Sequence, residues 1–143
     1  LVTYLIVEEI ATIGKAATVT YPDKKVSNGK TYSYTVQAYN AGGAGKYNST
    51  GKTTLYLSTV KLSKVAVKKG KKLQVTYKKN AKGAGYEISY STSKNFKSAK
   101  KVTVKKAKTL KATLKKLKKN KKYYVRVRVY KKSGKTTYYS AWS

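Results

Sequence analysis

The run Tyr123-Tyr-Val-Arg-Val-Arg-Val-Tyr130 constrains this chain more than any other stretch, because its apolar and polar residues alternate strictly. A two-residue period is that of a β-strand: Tyr123, Val125, Val127 and Val129 fall on one face, and Tyr124, Arg126, Arg128 and Tyr130 on the other. Leu117 and the turn Lys118-Lys-Asn-Lys-Lys122 lead into the strand, and Tyr139-Ser-Ala-Trp-Ser143 follows it after a Ser133-Gly134 turn. The layout recurs at Val26-Ser-Asn-Gly-Lys-Thr-Tyr32, where Val26 precedes the tyrosine by six and Tyr32, Tyr34, Val36 and Ala38 form the inward row. A repeat within 143 residues implies two small all-β domains, 1–59 and 60–143. Domains of about 60 to 80 residues bury only roughly 60% of their unfolded surface. With no cysteine to cross-link them, the sheets themselves must supply the cohesion.

Charge is distributed very unevenly. Residues 1–59 carry six lysines against Glu8, Glu9 and Asp23, a net of +3. Residues 60–143 carry 28 basic groups against Glu87 alone, a net of +27. Such a surface steers polyanions toward itself over long range, and salt weakens that attraction steeply. Lys115, Lys116, Lys118, Lys119, Lys121 and Lys122, with the outward Tyr124 and Tyr130, are the candidate polyanion contacts. A solvated lysine face that keeps strand edges from pairing is the structural alternative for the same residues.

Enzyme chemistry is disfavoured. The chain has no histidine or cysteine and only four carboxylates, of which Glu8 and Glu9 are adjacent and point to opposite faces of a strand. No catalytic residue, cofactor or metal ligand set is expected, since zinc and calcium want clustered imidazole, thiolate or oxygen donors. Leu1 to Ile10 is apolar in part but lacks a basic leading segment and is too short to span a bilayer as a helix, so no membrane insertion is expected. A chain starting at leucine with no methionine reads as a piece of a longer protein. Asn48-Ser-Thr50 matches a glycosylation acceptor, a pattern common by chance.

An apolar residue, a polar turn and then Tyr-x-x-x-Val-x-(Val/Ala) resembles the E to F corner of fibronectin type III domains. There the tyrosine hydroxyl bonds back across the bend as a tyrosine corner. The resemblance assigns that role to Tyr32 with Val26, and to Tyr123 with Leu117. Leu73-Gln-Val-Thr-Tyr77 is similar to the family's B strand and Gly85-Tyr-Glu-Ile-Ser-Tyr90 to its C strand. Val60 to Val67 then takes the A position, Val102 and Val104 mark C′, and Leu110, Ala112 and Leu114 mark E. In the first unit the resemblance implies a C strand at Tyr4 to Val7, C′ at Glu9 to Ile13, E at 17–21, F at 31–39 and G at Lys52 to Leu57. A helix over Lys105 to Lys122, with leucines at 110, 114 and 117, is the competing reading; the threonines and the corner spacing favour strand. Residues 58–61 carry no proline or glycine, so the joint between the units is expected to be short and stiff.

Tyr139-Ser-Ala-Trp-Ser143 is similar to the Trp-Ser-x-Trp-Ser segment of cytokine-receptor fibronectin domains. That likeness implies a cation–π ladder of Arg126 and Arg128 with Tyr139 and Trp142, in preference to a nucleic-acid site built on the same arginines and tyrosines. Ala84 to Ser91 and the Tyr-Tyr-Val-Arg-Val-Arg run resemble tandem modules of surface and secreted proteins of Gram-positive bacteria. The implied role is a non-catalytic, adhesive spacer, extracellular or at the cell surface; the alternatives are a dedicated polyanion or nucleic-acid binding module, or an accessory module of a cell-wall or glycan-degrading enzyme whose catalytic domain lies outside these residues. Its implied partners are neighbouring domains of a parent protein and anionic cell-wall or host polysaccharide. Both units look incomplete, the first lacking A and B strands and the second its full G strand, so self-association by strand pairing is a further expectation.

Overall fold

The computed structural model describes residues 8–143, and the expected strand at Tyr4 to Val7 lies outside them. Eleven strands and no helix occur among the described residues. Residues 60–143 form two facing sheets, as the alternating sequence requires. One has three strands in the order β5 (Leu62–Lys68), β6 (Lys72–Tyr77), β9 (Lys111–Leu114). The other has four, ordered β11 (Thr136–Tyr139), β10 (Tyr124–Ser133), β7 (Gly85–Ser91), β8 (Lys100–Val104). All pairings are antiparallel. Residues 105–122 hold β9 and turns, so the leucine spacing there belongs to a strand and its corner.

Between the sheets, Val75, Tyr86, Ile88, Leu114, Val127 and Val129 are fully buried. The register sets Val125, Val127 and Val129 of β10 opposite Tyr90, Ile88 and Tyr86 of β7, so each inward row is built from alternate residues of both strands. Gly85 is obligatory at the head of β7: a Cβ there would overlap the Val104 carbonyl oxygen and lie 2.7 Å from the Tyr130 hydroxyl. Two buried tyrosines need partners for their hydroxyls. Tyr77 donates to the Thr109 carbonyl at 3.0 Å, and Tyr86 accepts from the Asn80 amide at 3.1 Å and donates to the Ala107 carbonyl at 3.2 Å.

Residues 8–59 are less regular. β1 (Thr31–Tyr34) pairs with β4 (Lys52–Leu55), and β2 (Tyr39–Asn40) with β3 (Gly43–Ala44), as two separate two-stranded sheets. The expected strands at Glu9 to Ile13 and at 17–21 do not form, and the expected strand 31–39 divides into β1 and a brief hairpin. The physical reason is burial. Val36 is 72% exposed and Ala38 is also exposed, so the inward row predicted at 32–38 faces no second sheet beyond Tyr34. An alternating pattern without a covering layer lacks the apolar gain that would hold it extended. Tyr34 is instead held by its hydroxyl, which donates to Asp23 Oδ2 at 2.9 Å. Asn48 of the glycosylation-like triplet has a structural use: its Oδ1 accepts from the amides of Thr50 and Gly51 at the turn before β4.

The same corner geometry occurs at Tyr32 and at Tyr123. Ser27 donates its amide to the Tyr32 hydroxyl oxygen at 2.8 Å, and Lys118 donates its amide to the Tyr123 hydroxyl oxygen at 2.9 Å, each five residues back. Leu117 is 7% exposed, whereas Val26 is half-buried beside the first unit's open groove.

Two outcomes follow for stability. Tyr123→Phe leaves the Lys118 amide to water and should lower unfolding free energy by about 1 kcal/mol, read from the urea midpoint. The Tyr77 hydroxyl, normally near 10.0, is pushed up to about 12 by burial first and then by the neighbouring Tyr86. A raised folded-state pKa means its contribution is intact below pH 10 and is lost as pH rises from 10 toward 12. That loss should approach about 2 to 3 kcal/mol. The comparison is with Tyr77→Phe, which lacks only this hydroxyl. Between about pH 9 and about pH 12, urea midpoints should fall further in the parent than in the variant; identical pH dependence would remove Tyr77 from the account.

Candidate functional site

The outer face of β10 carries the arginines. Tyr124, Arg126, Arg128 and Tyr130 stand opposite Ser91, Ser89, Glu87 and Gly85 of β7. Residues 139–143 run alongside but do not continue the ladder in the ordinary way. Ser140 donates its amide to the Val129 carbonyl at 3.0 Å and accepts the Val129 amide on its Oγ at 3.1 Å. Ser143 does the same with Val127, at 2.9 and 3.0 Å. Two serine hydroxyls thus stand in for strand carbonyls, and three residues of this segment span two of β10. The three-residue period also carries Tyr139 and Trp142 together over the arginine row.

The result is a stack of five side chains. Phe96 lies 3.9 Å from the Arg126 guanidinium carbon, Trp142 lies 4.5 Å from Arg126 and 4.4 Å from Arg128, and Tyr139 lies 3.8 Å from Arg128. A flat, delocalised cation between ring faces contributes about 0.5 to 1 kcal/mol per contact when exposed and more when desolvated. The expected ladder of Arg126, Arg128, Tyr139 and Trp142 is therefore brought together, and Phe96 joins it without being among the sequence candidates. It reaches the stack from a loop at φ +56°, a left-handed conformation for which a phenylalanine in a serine- and lysine-rich loop gives no sequence signal.

The two arginines differ in their other partners. Arg128 donates through Nε at 3.0 Å and Nη2 at 2.8 Å to Glu87 Oε1, and Lys101 approaches the same oxygen at 3.5 Å. The single acid of residues 60–143 is therefore taken up within the sheet by Arg128 and Lys101. Arg126 has no carboxylate partner among the described residues; its Nε and the Oγ of the opposing Ser89 are both buried and unpaired. Its attraction rests on the rings above and below.

The candidate polyanion residues fall at two places on the fold. Lys115 and Lys116, directly after β9, and Lys118, Lys119, Lys121 and Lys122, in the turn before β10, are all exposed at one end of the sandwich. Lys115 and Lys121 thus bracket the corner that Leu117 and the Tyr123 hydroxyl pin, one on the strand side and one on the turn side. Tyr124 lies beside them, with the Lys122 ammonium 5.4 Å from the centre of its ring. Tyr130 is the residue that falls outside: it stands six residues along β10, about 20 Å away, tilted against Tyr139 at 6.2 Å. The reason is strand geometry, since residues sharing a face of one strand are spread along its length rather than gathered at its end.

A second site was not anticipated. Asn80, 4% exposed, ties residues 60–143 to the segment before them: its Nδ2 donates to the Ser58 carbonyl at 2.9 Å, and its Oδ1 accepts from the amides of Lys82 and Gly83 and from Asn28 Nδ2. Asn28 Oδ1 in turn accepts the Ser58 amide at 3.1 Å. Gly29, at φ +83°, lets Lys82 lie where a Cβ would be 2.6 Å from it. An asparagine before Ala-Lys-Gly reads as a turn residue, and nothing local says that its amide reaches 52 residues back.

Comparison with known proteins agrees with this architecture. Residues 60–143 match the Fibronectin type III domain. Among solved structures, the crystal structure of chicken CNTN1 FN1-FN3 domains is similar in fold, with a TM-score of 0.50 and 20% identity. The match covers 86% of this chain and 43% of that one, so this chain spans less than half the length of that one. No curated protein matches the chain. The two facing sheets of residues 60–143, their strand pairing and this match lead to one assignment: the chain belongs to the fibronectin type III family.

Proposed function

We propose that the chain is a non-catalytic structural and adhesive module, two fibronectin type III-like units in tandem, from a bacterial cell-surface or secreted protein. It spaces neighbouring domains and contacts anionic cell-wall or host polysaccharide through its lysines. Fibronectin type III domains are typically non-catalytic and commonly extracellular, which supports the general part of this reading. The observation that carries the specific part is that residues 60–143 hold 28 basic groups and that their one acid, Glu87, is occupied by Arg128 and Lys101. The remaining surface is left positive, and association driven by counterion release follows. The repeated corner and the Asn28–Ser58–Asn80 bonds support a tandem with a fixed joint. Self-association by strand pairing belongs to the same proposal, through the first unit's two-stranded sheets.

A dedicated nucleic-acid module is the second reading. It is weakened because the arginines it would use are stacked within the protein. Retention on an immobilised sulfated polysaccharide across a salt gradient separates the two. The scaffold reading expects binding that salt erases and that Arg126→Ala leaves essentially unchanged, while that variant lowers thermal stability by about 1 to 2 kcal/mol through its two ring contacts. Unchanged stability combined with lost binding would instead make Arg126 a ligand residue.

A further inference from the structure

The six lysines of the corner before β10, from Lys115 to Lys122, are not alone at their end of the sandwich. The hairpin of β5 and β6 contributes Lys68 and Lys72 at its strand ends and Lys69 and Lys71 in its turn, all exposed, and the fold ties that turn to the corner. Leu117 donates its amide to the Lys71 carbonyl at 3.1 Å, and Leu73 stands opposite Leu114 in the β6–β9 register. Two basic runs more than forty residues apart in the chain thereby become one surface of ten lysines, with no acidic residue in either run.

The surface is held in shape before any ligand arrives. Lys71, Lys116 and Asn120 adopt left-handed backbone conformations at φ of 56°, 56° and 54°, and Gly70 at 78°. Side chains rarely take that region unless their surroundings fix it. The Leu117–Lys71 bond and the Tyr123 hydroxyl under the Lys118 amide do so here. Like charges crowded into two pinned turns repel one another within a Debye length of about 8 Å, a cost that a bound polyanion would relieve.

We propose that this end is the binding site for a linear polymer of phosphate or sulfate groups carrying no aromatic rings, a proposal that rests on the adhesive reading above. Lysine supplies compact point charges rather than the planar fork of arginine, so it selects for charge density and not for the geometry of one group. Neither run contains an aromatic residue, and the two nearest along the chain are engaged: Tyr123 in the corner and Tyr124 beneath Lys122. A platform for stacking bases is therefore missing where the charge is greatest, which separates this surface from those that hold single-stranded nucleic acid.

The test uses two variants with equal loss of charge. One replaces Lys69, Lys71, Lys118 and Lys119 by Gln; the other replaces Lys78, Lys79, Lys132 and Lys135 by Gln, at the opposite end, where β6 and β10 finish. Thermal melts of both establish that they remain folded. Affinity for long-chain inorganic polyphosphate and for a heparin fragment is then measured against salt, with poly(dT) as the aromatic polymer. The first variant should lose about tenfold or more for polyphosphate and heparin and show a shallower salt dependence, while the second changes little. Equal losses in both variants would overturn the localised site and leave the adhesive reading standing. No binding by the parent chain at low salt would remove the adhesive reading itself. Tighter binding per charge to poly(dT) than to polyphosphate would overturn the assignment of ligand class. The polyphosphate and heparin arms distinguish phosphate from sulfate as the source of charge.

Discussion

The two-bond clasps that Ser140 and Ser143 make with Val129 and Val127 hold together the part of the structure on which the rest depends. Both rows of β10 carry weight. Its inner valines fill the space between the sheets, and its outer arginines carry the ring stack. Only its last four residues pair with β11, and further back the hydroxyl clasps supply the backbone bonds on that side. An unpaired buried amide costs about as much as a lost hydrogen bond, so the serines secure β10 where an ordinary strand neighbour is absent. The same clasps fix the position of Trp142 between the arginines. Core, edge and stack are therefore one cooperative arrangement.

Charge imposes the opposing constraint. A net of +27 over residues 60–143 favours solubility and polyanion contact but works against compactness through self-repulsion. The fold answers by placing lysines on turns and exposed strand positions and by stacking both arginines between aromatic rings on the outer face of β10. Arg128 is neutralised by Glu87, and Arg126 is held between Phe96 and Trp142. The stack thus stabilises the sandwich while the lysines remain exposed.

Much of this is legible in the sequence, because the informative signals are local. Strict alternation from Tyr123 to Tyr130 identifies β10 and its two rows, and the six-residue interval from Leu117 identifies the corner. What escapes is set by contacts distant along the chain. Phe96 reaches Arg126 from a loop 30 residues away, Asn80 bridges to Asn28 and Ser58, and the 68–72 turn meets the 115–122 corner. Residues 8–59 are less regular than their sequence implies for a related reason. Alternation at 17–21 and 31–39 resembles that of β10, but it becomes strand only where a second layer covers it, and coverage is not written in the segment itself.

Amide hydrogen exchange at Val127 and Val129 tests the central claim most directly. If serine hydroxyls close β10, both amides exchange among the slowest in the chain, and Ser143→Ala accelerates Val127 by about tenfold, corresponding to roughly one hydrogen bond, while leaving Val75 in the opposite sheet unchanged. Exchange of both amides at the rate of the exposed turns in the parent chain would contradict the account, since β10 would then be open along the edge that is held here to be closed.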